Sequence, residues 1–386
     1  MAYKRSNKGK QWLETDVYEE AKKRIKHTIK VTDTQIVGFS GGKDSLTLLN
    51  LVQEVHDELG IEDKVKVFFL DEEVVPPAVI DFVTEIYKSG KYDFKWYAVP
   101  LLSNKYIMGN NYTYIQWDKN REWMREPPEW AIRDDSIEGL SEFNLEPYIA
   151  KDLKGKVAIF RGIRTDESFA RFMSIYRNKS KYPFLSKTTY RRIVNSQPIY
   201  DWSEDDIFLY FYKNNIRYCS TYDMQMWNDE TLRVATPLVA ENKFKFDKFK
   251  SYDAEWYDRL VEIFPDMILN EKYYREYKKS IDLSKYEPTI DSLLEFIDDN
   301  IDDEYYQNMA KKRVRQALHQ RLTNLKKGRP YFGGFPYRKI FKDLYSGNYK
   351  KKRLMPTIVY HKEDFLFEGY TEEDFKKYRE GLHYEW

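Results

Sequence analysis

Six residues, Ser40-Gly41-Gly42-Lys43-Asp44-Ser45, carry the clearest chemistry in this chain. Two adjacent glycines let the backbone turn tightly and approach a ligand. Lys43 adds a full positive charge, and Ser40 and Ser45 add hydroxyl donors. The apolar run Ile36-Val37-Gly38-Phe39 precedes them, and Leu48, Leu49, Val52, Val55 and Leu59 recur at helical spacing after them. The stretch therefore reads as a strand-to-helix turn, in which the first free N–H groups of a helix and its dipole face an anion. Phosphate is the expected ligand. A tight turn with incidental polar residues is the plainer alternative, but six defined residues between a strand and a helix argue against it. The spacing is not that of the Walker A loop.

Two further turns offer charged groups. Val157-Ala158-Ile159-Phe160 reads as a strand leading into Arg161-Gly162-Ile163-Arg164-Thr165-Asp166-Glu167-Ser168-Phe169-Ala170-Arg171. Arg164 and Arg171 present planar forks suited to phosphate or sulfate oxygens, and Thr165 or Asp166 is the expected helix cap. Ordinary surface ion pairing at a helix start is the competing reading. Asp71-Glu72-Glu73 follows the strand Lys64–Leu70 and is either a solvated acidic turn or a source of a ligand or metal carboxylate.

The elements that must position these groups alternate. A helix capped by Thr15 or Asp16 carries Val17, Ala21, Ile25 and Ile29. Another starts near Pro77, where proline is tolerated, and Phe94–Val99 is a third strand. Alternating strands and helices imply a Rossmann-like α/β fold with a parallel sheet and right-handed crossovers. In such sheets the ligand lies beyond the carboxyl ends of the strands, where residues 40–45 and 71–73 both fall. Residues 100–150, with Trp117, Trp123 and Trp130, read as an irregular aromatic insertion covering that edge. Ser203 caps a helix with an acidic first turn.

At 386 residues the chain has room for two domains. The expected organisation is an N-terminal arm and helix over 1–30, a nucleotide domain over 31–235 and a mainly helical region over 241–386. Lys and Arg total 64 against 63 Asp and Glu, so overall charge gives no case for nucleic acid. Locally, Glu287–Glu304 holds eight acids, whereas Lys311–Arg329 holds eight basic residues with Val314, Leu318, Leu322 and Leu325 as an apolar stripe. These blocks either pair with one another, or the basic one, with Lys350–Arg353, meets nucleic acid. Tyr331, Phe332, Phe335 and Tyr337 are then candidate stacking partners. No signal peptide or membrane span is evident, so a cytoplasmic location is expected. The single cysteine, Cys219, permits no internal disulfide, redox pair or four-cysteine iron–sulfur cluster.

The loop resembles the PP-loop of the adenine-nucleotide alpha-hydrolase superfamily. Gly162, Arg164, Glu167, Ser168 and Arg171 match the G-x-R-x-x-E-S-x-x-R element of phosphoadenosine phosphosulfate (PAPS) reductases, and Gln197–Ile207 resembles that family's P-[IL]-x-D-W-[ST]-x-x-D-[IV] segment. The resemblance implies a PP-loop, HUP-type fold and an adenine nucleotide, ATP or PAPS, bound by Ser40, Gly41, Gly42, Lys43, Asp44, Ser45, Asp71, Gly162, Arg164, Glu167, Ser168 and Arg171. Lys43, Asp44, Arg164 and Arg171 are the expected catalytic groups, with Asp44 or Asp71 on Mg²⁺. The reductases' C-terminal catalytic cysteine is missing: Glu380-Gly381-Leu382-His383 approaches the motif without it. Three readings follow. ATP is cleaved to AMP and pyrophosphate while an acceptor is adenylated, in sulfur transfer or nucleic-acid modification. Alternatively PAPS or adenylylsulfate is used with an external thiol, or nucleotide is sensed without turnover. A sulfur donor or acceptor protein is the implied partner.

Overall fold

The strand β1 (Thr34–Phe39) is the centre of the sheet, with Ile36, Val37 and Phe39 buried. The computed structural model describes residues 14–385 apart from 109, 179, 229, 240–245, 280, 281, 330, 351 and 358, so the expected arm over 1–13 lies outside the described residues. The remaining strands are β2 (Lys66–Leu70), β3 (Asp93–Tyr97), β4 (Leu101–Ile107), β5 (Asn110–Gln116), β6 (Val157–Phe160), β7 (Leu185–Lys187) and β8 (Ile193–Ser196). Six form one sheet in the order β3-β2-β1-β6-β8-β7, parallel except for β7. β1 pairs with β2 on one side and β6 on the other, so chain order reverses across β1 and β6. That is the topological switch point where α/β sheets bind ligands. The architecture is the expected α/β Rossmann-like one with a helical C-terminal region.

Seven helices accompany this sheet early in the chain: α1 (Val17–Val31), α2 (Lys43–Leu59), α3 (Pro77–Lys88), α4 (Glu142–Ala150), α5 (Phe169–Tyr176), α6 (Glu204–Asn214) and α7 (Thr221–Trp227). Asp16 caps α1 by accepting from Glu19 N–H. α2 buries Leu48, Leu49, Leu51, Val52 and Val55 against the sheet; α6 opens with a reciprocal Ser203–Asp206 capping box. One expectation fails at α5. Thr165–Glu167 forms a single 3₁₀ turn, and Ser168 is the cap, accepting from Arg171 N–H. The reason is local: the Glu167 carboxylate accepts from Arg164 N–H and closes the 3₁₀ turn, and the extended Ser168 that follows is placed to cap α5.

Later helices are α8 (Phe246–Tyr252), α9 (Ala254–Ile263), α10 (Ile268–Lys279), α11 (Ile290–Asn300), α12 (Glu304–Lys326), α13 (Tyr337–Tyr345), α14 (Lys362–Phe367) and α15 (Glu372–Glu385). The chain divides into two units, Leu13–Lys105 with Thr113–Met267, and Tyr106–Tyr112 with Ile268–Trp386. The division at 267/268 differs from the expected 235/241. Its reason is α9: Arg259 donates to Glu122 and to the Trp123 carbonyl, and Phe264 meets the Tyr114 ring and the Arg121 guanidinium. The segment 100–150 is also less irregular than expected, since β4 and β5 form their own two-stranded sheet.

In the C-terminal unit, Leu293, Phe296 and Ile297 of α11 pack with Ala310, Val314 and Ala317 of α12 and Ile340, Phe341 and Leu344 of α13. The expected stripe on α12 is thus shifted, and Leu322 is 58% exposed. The aromatic residues proposed for stacking are corrected too. Phe332 and Phe335 are fully buried, and Phe332 packs with Tyr360 and Phe365. Their ring surface is spent on the core.

Candidate nucleotide site

Three segments meet beyond the carboxyl ends of β1 and β6. Gly41 takes φ +73°, and a Cβ there would lie 2.8 Å from Val79 Cγ1 and 2.9 Å from Val83 Cγ2 on α3. Gly42 then caps α2 with extended backbone and no side chain. The first N–H groups of α2 have no intrahelical acceptors. One of them, Lys43 N–H, donates to the Tyr222 hydroxyl at 2.9 Å. Ser45 Oγ sits within the turn, accepting from Ser40 N–H and donating to the Gly42 carbonyl, so the serines first of all shape the loop.

The turn after β6 is pressed onto this loop. A Cβ at Gly162 would lie 2.8 Å from the Asp44 carbonyl carbon and oxygen and from Ser45 N. Only glycine permits that approach. Two residues on, the buried Arg164 donates from Nε to Asp44 Oδ1 at 2.5 Å, and its backbone N–H is held by Glu167. Arg171 pairs with the other oxygen of Glu167. Burial, then the nearby Arg233 and Arg164 guanidinium groups, pull the Arg171 pKa below its ordinary value against the opposing Asp44 charge. The site therefore concentrates positive charge.

The third segment completes the enclosure, and sequence reasoning missed it. Lys43 is buried, and its Nζ donates to the Leu232 carbonyl at 3.0 Å, lies 3.5 Å from Asp44 and 3.6 Å from Glu204, and sits over the Tyr222 ring. Val234 and Tyr222 border Gly42 on the side where a Cβ would stand. Between Leu232 and Val234, Arg233 has its backbone clipped at both N–H and C=O by the buried amide of Gln225. Its neighbours thus fix it beside the loop, and its charge reaches Arg171. No local pattern flags a single arginine in a loop; only the fold brings it to Lys43.

The motif around Asp201 is structural. Asp201 accepts a bidentate pair from Arg24 of α1, Trp202 Nε1 donates to the Val17 carbonyl, and the Tyr200 carbonyl accepts from both Thr165 N–H and Thr165 Oγ1. This anchors the arginine turn from below.

Asp71 departs from its expected role as a nucleotide or magnesium ligand. It is fully buried, and its carboxylate accepts from Trp96 Nε1 at 2.8 Å, Arg125 at 2.5 Å and Glu73 N–H at 3.0 Å. Glu73 is likewise enclosed by Arg121 and the Trp117 and Met124 N–H groups, on a backbone with φ +62°. Asp71 and Glu73 are therefore neither solvated nor open; they are the clamp on which residues 117–125 of the insertion are built. Asp44, for its part, is held by Arg164 and Lys43. Among the described residues no three His, Cys, Asp or Glu side chains cluster as a metal site. With Asp71 and Asp44 both engaged by cations or indole, the residues present do not fit a magnesium ion held by the protein.

Glu72, between the two clamped carboxylates, is partly accessible yet densely surrounded. Desolvation, then the Asp71 charge, pushes its carboxyl up to about 7. Cys219 is 1% exposed, with Sγ near the Ala78 carbonyl and Thr221 Oγ1, and burial raises its pKa. It is a core thiol.

Residues 34–251 match the phosphoadenosine phosphosulfate reductase domain. The chain belongs to that family. Escherichia coli YbdN is 30% identical to this PAPS reductase-family chain over 223 residues, 54% of each protein. Two Methanocaldococcus jannaschii relatives, 26% and 28% identical, are matched over 36% and 37% of their length. The chain thus spans about half or less of the relatives it matches. Among solved structures, Candida auris PAPS reductase in a phosphate complex is 14% identical, covering 53% of this chain and 84% of that one with a TM-score of 0.33. Candida glabrata FMN adenylyltransferase is 16% identical, covering 53% and 59% with a TM-score of 0.36.

Proposed function

We propose that this PAPS reductase-family chain binds ATP and transfers its adenylyl group to an acceptor, releasing pyrophosphate. The observation that carries the reading is a site rich in cations and lacking a thiol. Lys43, Arg164, Arg171 and Arg233 converge on the start of α2, while the chain's one cysteine is buried in the core beneath α3. A reductase attacks sulfur with a thiolate. Adenylyl transfer needs no protein nucleophile, because positioning and electrostatics suffice.

In this reading the acceptor's nucleophilic atom forms a bond to the α-phosphorus of ATP. The bond from that phosphorus to the α,β-bridging oxygen breaks, and its electron pair leaves with pyrophosphate. The acceptor's proton passes to solvent. The α2 N–H groups and Lys43 hold the leaving pyrophosphate. To do so, Lys43 exchanges its Leu232 carbonyl for a phosphate oxygen, and Lys43 N–H exchanges the Tyr222 hydroxyl for another. Arg171 and Arg233 face charge developing on the transferring group; Arg164 is a positioning residue held on Asp44. Gly162 and Ser168 shape the turn, and Glu167 orients both arginines. The acceptor classes in view are a sulfur-carrying protein or a nucleic acid.

The test is pyrophosphate release from ATP, supplied as its magnesium complex, against sulfite release from PAPS in the presence of a thiol. Pyrophosphate release that vanishes in Lys43→Ala supports adenylyl transfer. Sulfite release without pyrophosphate release refutes it.

A further inference from the structure

α12 carries its charge on the side away from its core. Ala310, Val314 and Ala317 are buried against α11 and α13, and two flanking cations are already paired: Lys311 with Asp298 at 2.7 Å and Arg321 bidentate with Glu368. Lys312, Arg315, His319 and Lys326 lie opposite, within a sector of about 60° at 100° per residue, and all four are exposed. Lys327 and Arg329 are exposed just beyond the helix. Among the described residues the side chains of Lys312, Arg315, Lys326, Lys327 and Arg329 form no ion pair. No Asp or Glu occurs between Tyr305 and Lys342. Mutual neutralisation with the acidic block therefore accounts for Lys311 and leaves the outward row unexplained.

We propose that this outward face of α12 binds the phosphate backbone of nucleic acid. From Lys312 to Lys326 the helix rises about 21 Å, over which a duplex presents about 12 phosphates. A straight cationic row with no interleaved carboxylate complements a linear polyanion of even charge spacing. Beside Tyr305, the exposed large apolar side chain along this face is Leu322 at 58%, whereas a membrane-surface helix needs a broad apolar flank to insert. Tyr305, 68% exposed, stands two turns before Lys312 on the same side. The second basic run contributes less than expected. Lys350 donates to Asn110 and lies over the Tyr306 ring, with burial lowering its pKa, and Lys351 lies outside the described residues.

The experiment is fluorescence anisotropy of full-length protein with a labelled 30-base-pair duplex of mixed sequence, across a salt series. Binding is expected to weaken steeply with salt. The triple variant Lys312→Gln/Arg315→Gln/Lys326→Gln is expected to bind on the order of a hundredfold more weakly at low salt, with a log–log slope shallower by about 2–3. A Lys312→Arg/Lys326→Arg variant keeps the charge and is expected to keep binding. Circular dichroism of each variant separates lost contacts from a lost helix. Three results overturn the proposal: no duplex binding at low salt, an unchanged slope in the folded triple variant, or retention on phosphatidylserine vesicles without duplex binding. Pyrophosphate release is read separately, because the nucleotide reading stands or falls on the other unit.

Discussion

Gly162→Ala tests whether the turns after β1 and β6 are as closely packed as their backbones imply. The added Cβ would stand 2.8 Å from three backbone atoms of Asp44 and Ser45, where ordinary contact begins at 3.4 Å. Those atoms belong to the first turn of α2, whose backbone cannot swing aside like a side chain. Relief requires the β6 exit or the loop to yield by about 0.6 Å, and overpacking of this kind costs about 1–3 kcal/mol. At the size of the unit that holds it, that lowers Tm by about 2–4 °C per kcal/mol, so a fall of about 5 °C is expected. The functional effect should be larger. Arg164 lies two residues from the substitution, and a misplacement approaching 1 Å costs up to about a hundredfold in rate. Differential scanning fluorimetry, calorimetric titration with magnesium ATP and pyrophosphate release measure these separately. Gly139→Ala is the control, because its Cβ would meet side chains and no backbone, Leu102 at 3.1 and 3.2 Å and Ile115 Cδ1 at 3.7 Å. If Gly162→Ala melts within 1 °C of the parent and binds ATP unchanged, the close approach and the site built on it are wrong.

Arg171→Gln and Arg233→Gln are each expected to weaken calorimetric binding of magnesium ATP by about tenfold, the worth of a charge-assisted hydrogen bond. Arg217→Gln, an exposed partner of Glu85, should leave calorimetric affinity unchanged. The Glu72 carboxyl, raised to about 7, binds a proton in the folded chain that the unfolded chain has lost above its ordinary pKa. Its contribution is therefore full below about pH 4.5 and is lost as pH rises through 7; Tm should fall across that window in the parent and less in Glu72→Gln. Cys219 should resist a disulfide-based thiol reagent until the protein is unfolded, and Cys219→Ala should retain pyrophosphate release, whereas rapid native labelling would return the thiol to the mechanism.

The parts of the fold legible in the sequence were those where a local physical demand selects the residue. Ile36–Phe39 and Val157–Phe160 are buried on both faces and read as apolar runs. Ser203 and Asp16 have to cap helices, and Gly41 has to turn with positive φ. The readings failed where residues distant in the chain supply the environment. Asp71-Glu72-Glu73 has the composition of a solvated turn, but Arg121, Arg125, Trp96 and Trp117 arrive from as far as fifty-four positions away and convert it into a buried clamp. Phe332 and Phe335 have the character of stacking residues until the core of their own unit absorbs them.

The same reasoning explains why the arginine of the third segment was invisible and why it matters. Arg164 is neutralised by Asp44 and Arg171 by Glu167, both within motifs that repeat the pattern of anion-binding turns. Among the described residues Arg233 has no such acidic companion; it is fixed by Gln225 and by the loop contacts of Leu232 and Val234. Bringing it to Arg171 costs free energy through like-charge repulsion in a partly desolvated place. A fold keeps such an arrangement only where another gain offsets that cost, and under the proposed function the bound polyphosphate would supply it. The segment that carries Arg233 is also the one that accepts from Lys43. Under the proposed function, phosphate capture by Lys43 and release of the Leu232 carbonyl would be one exchange.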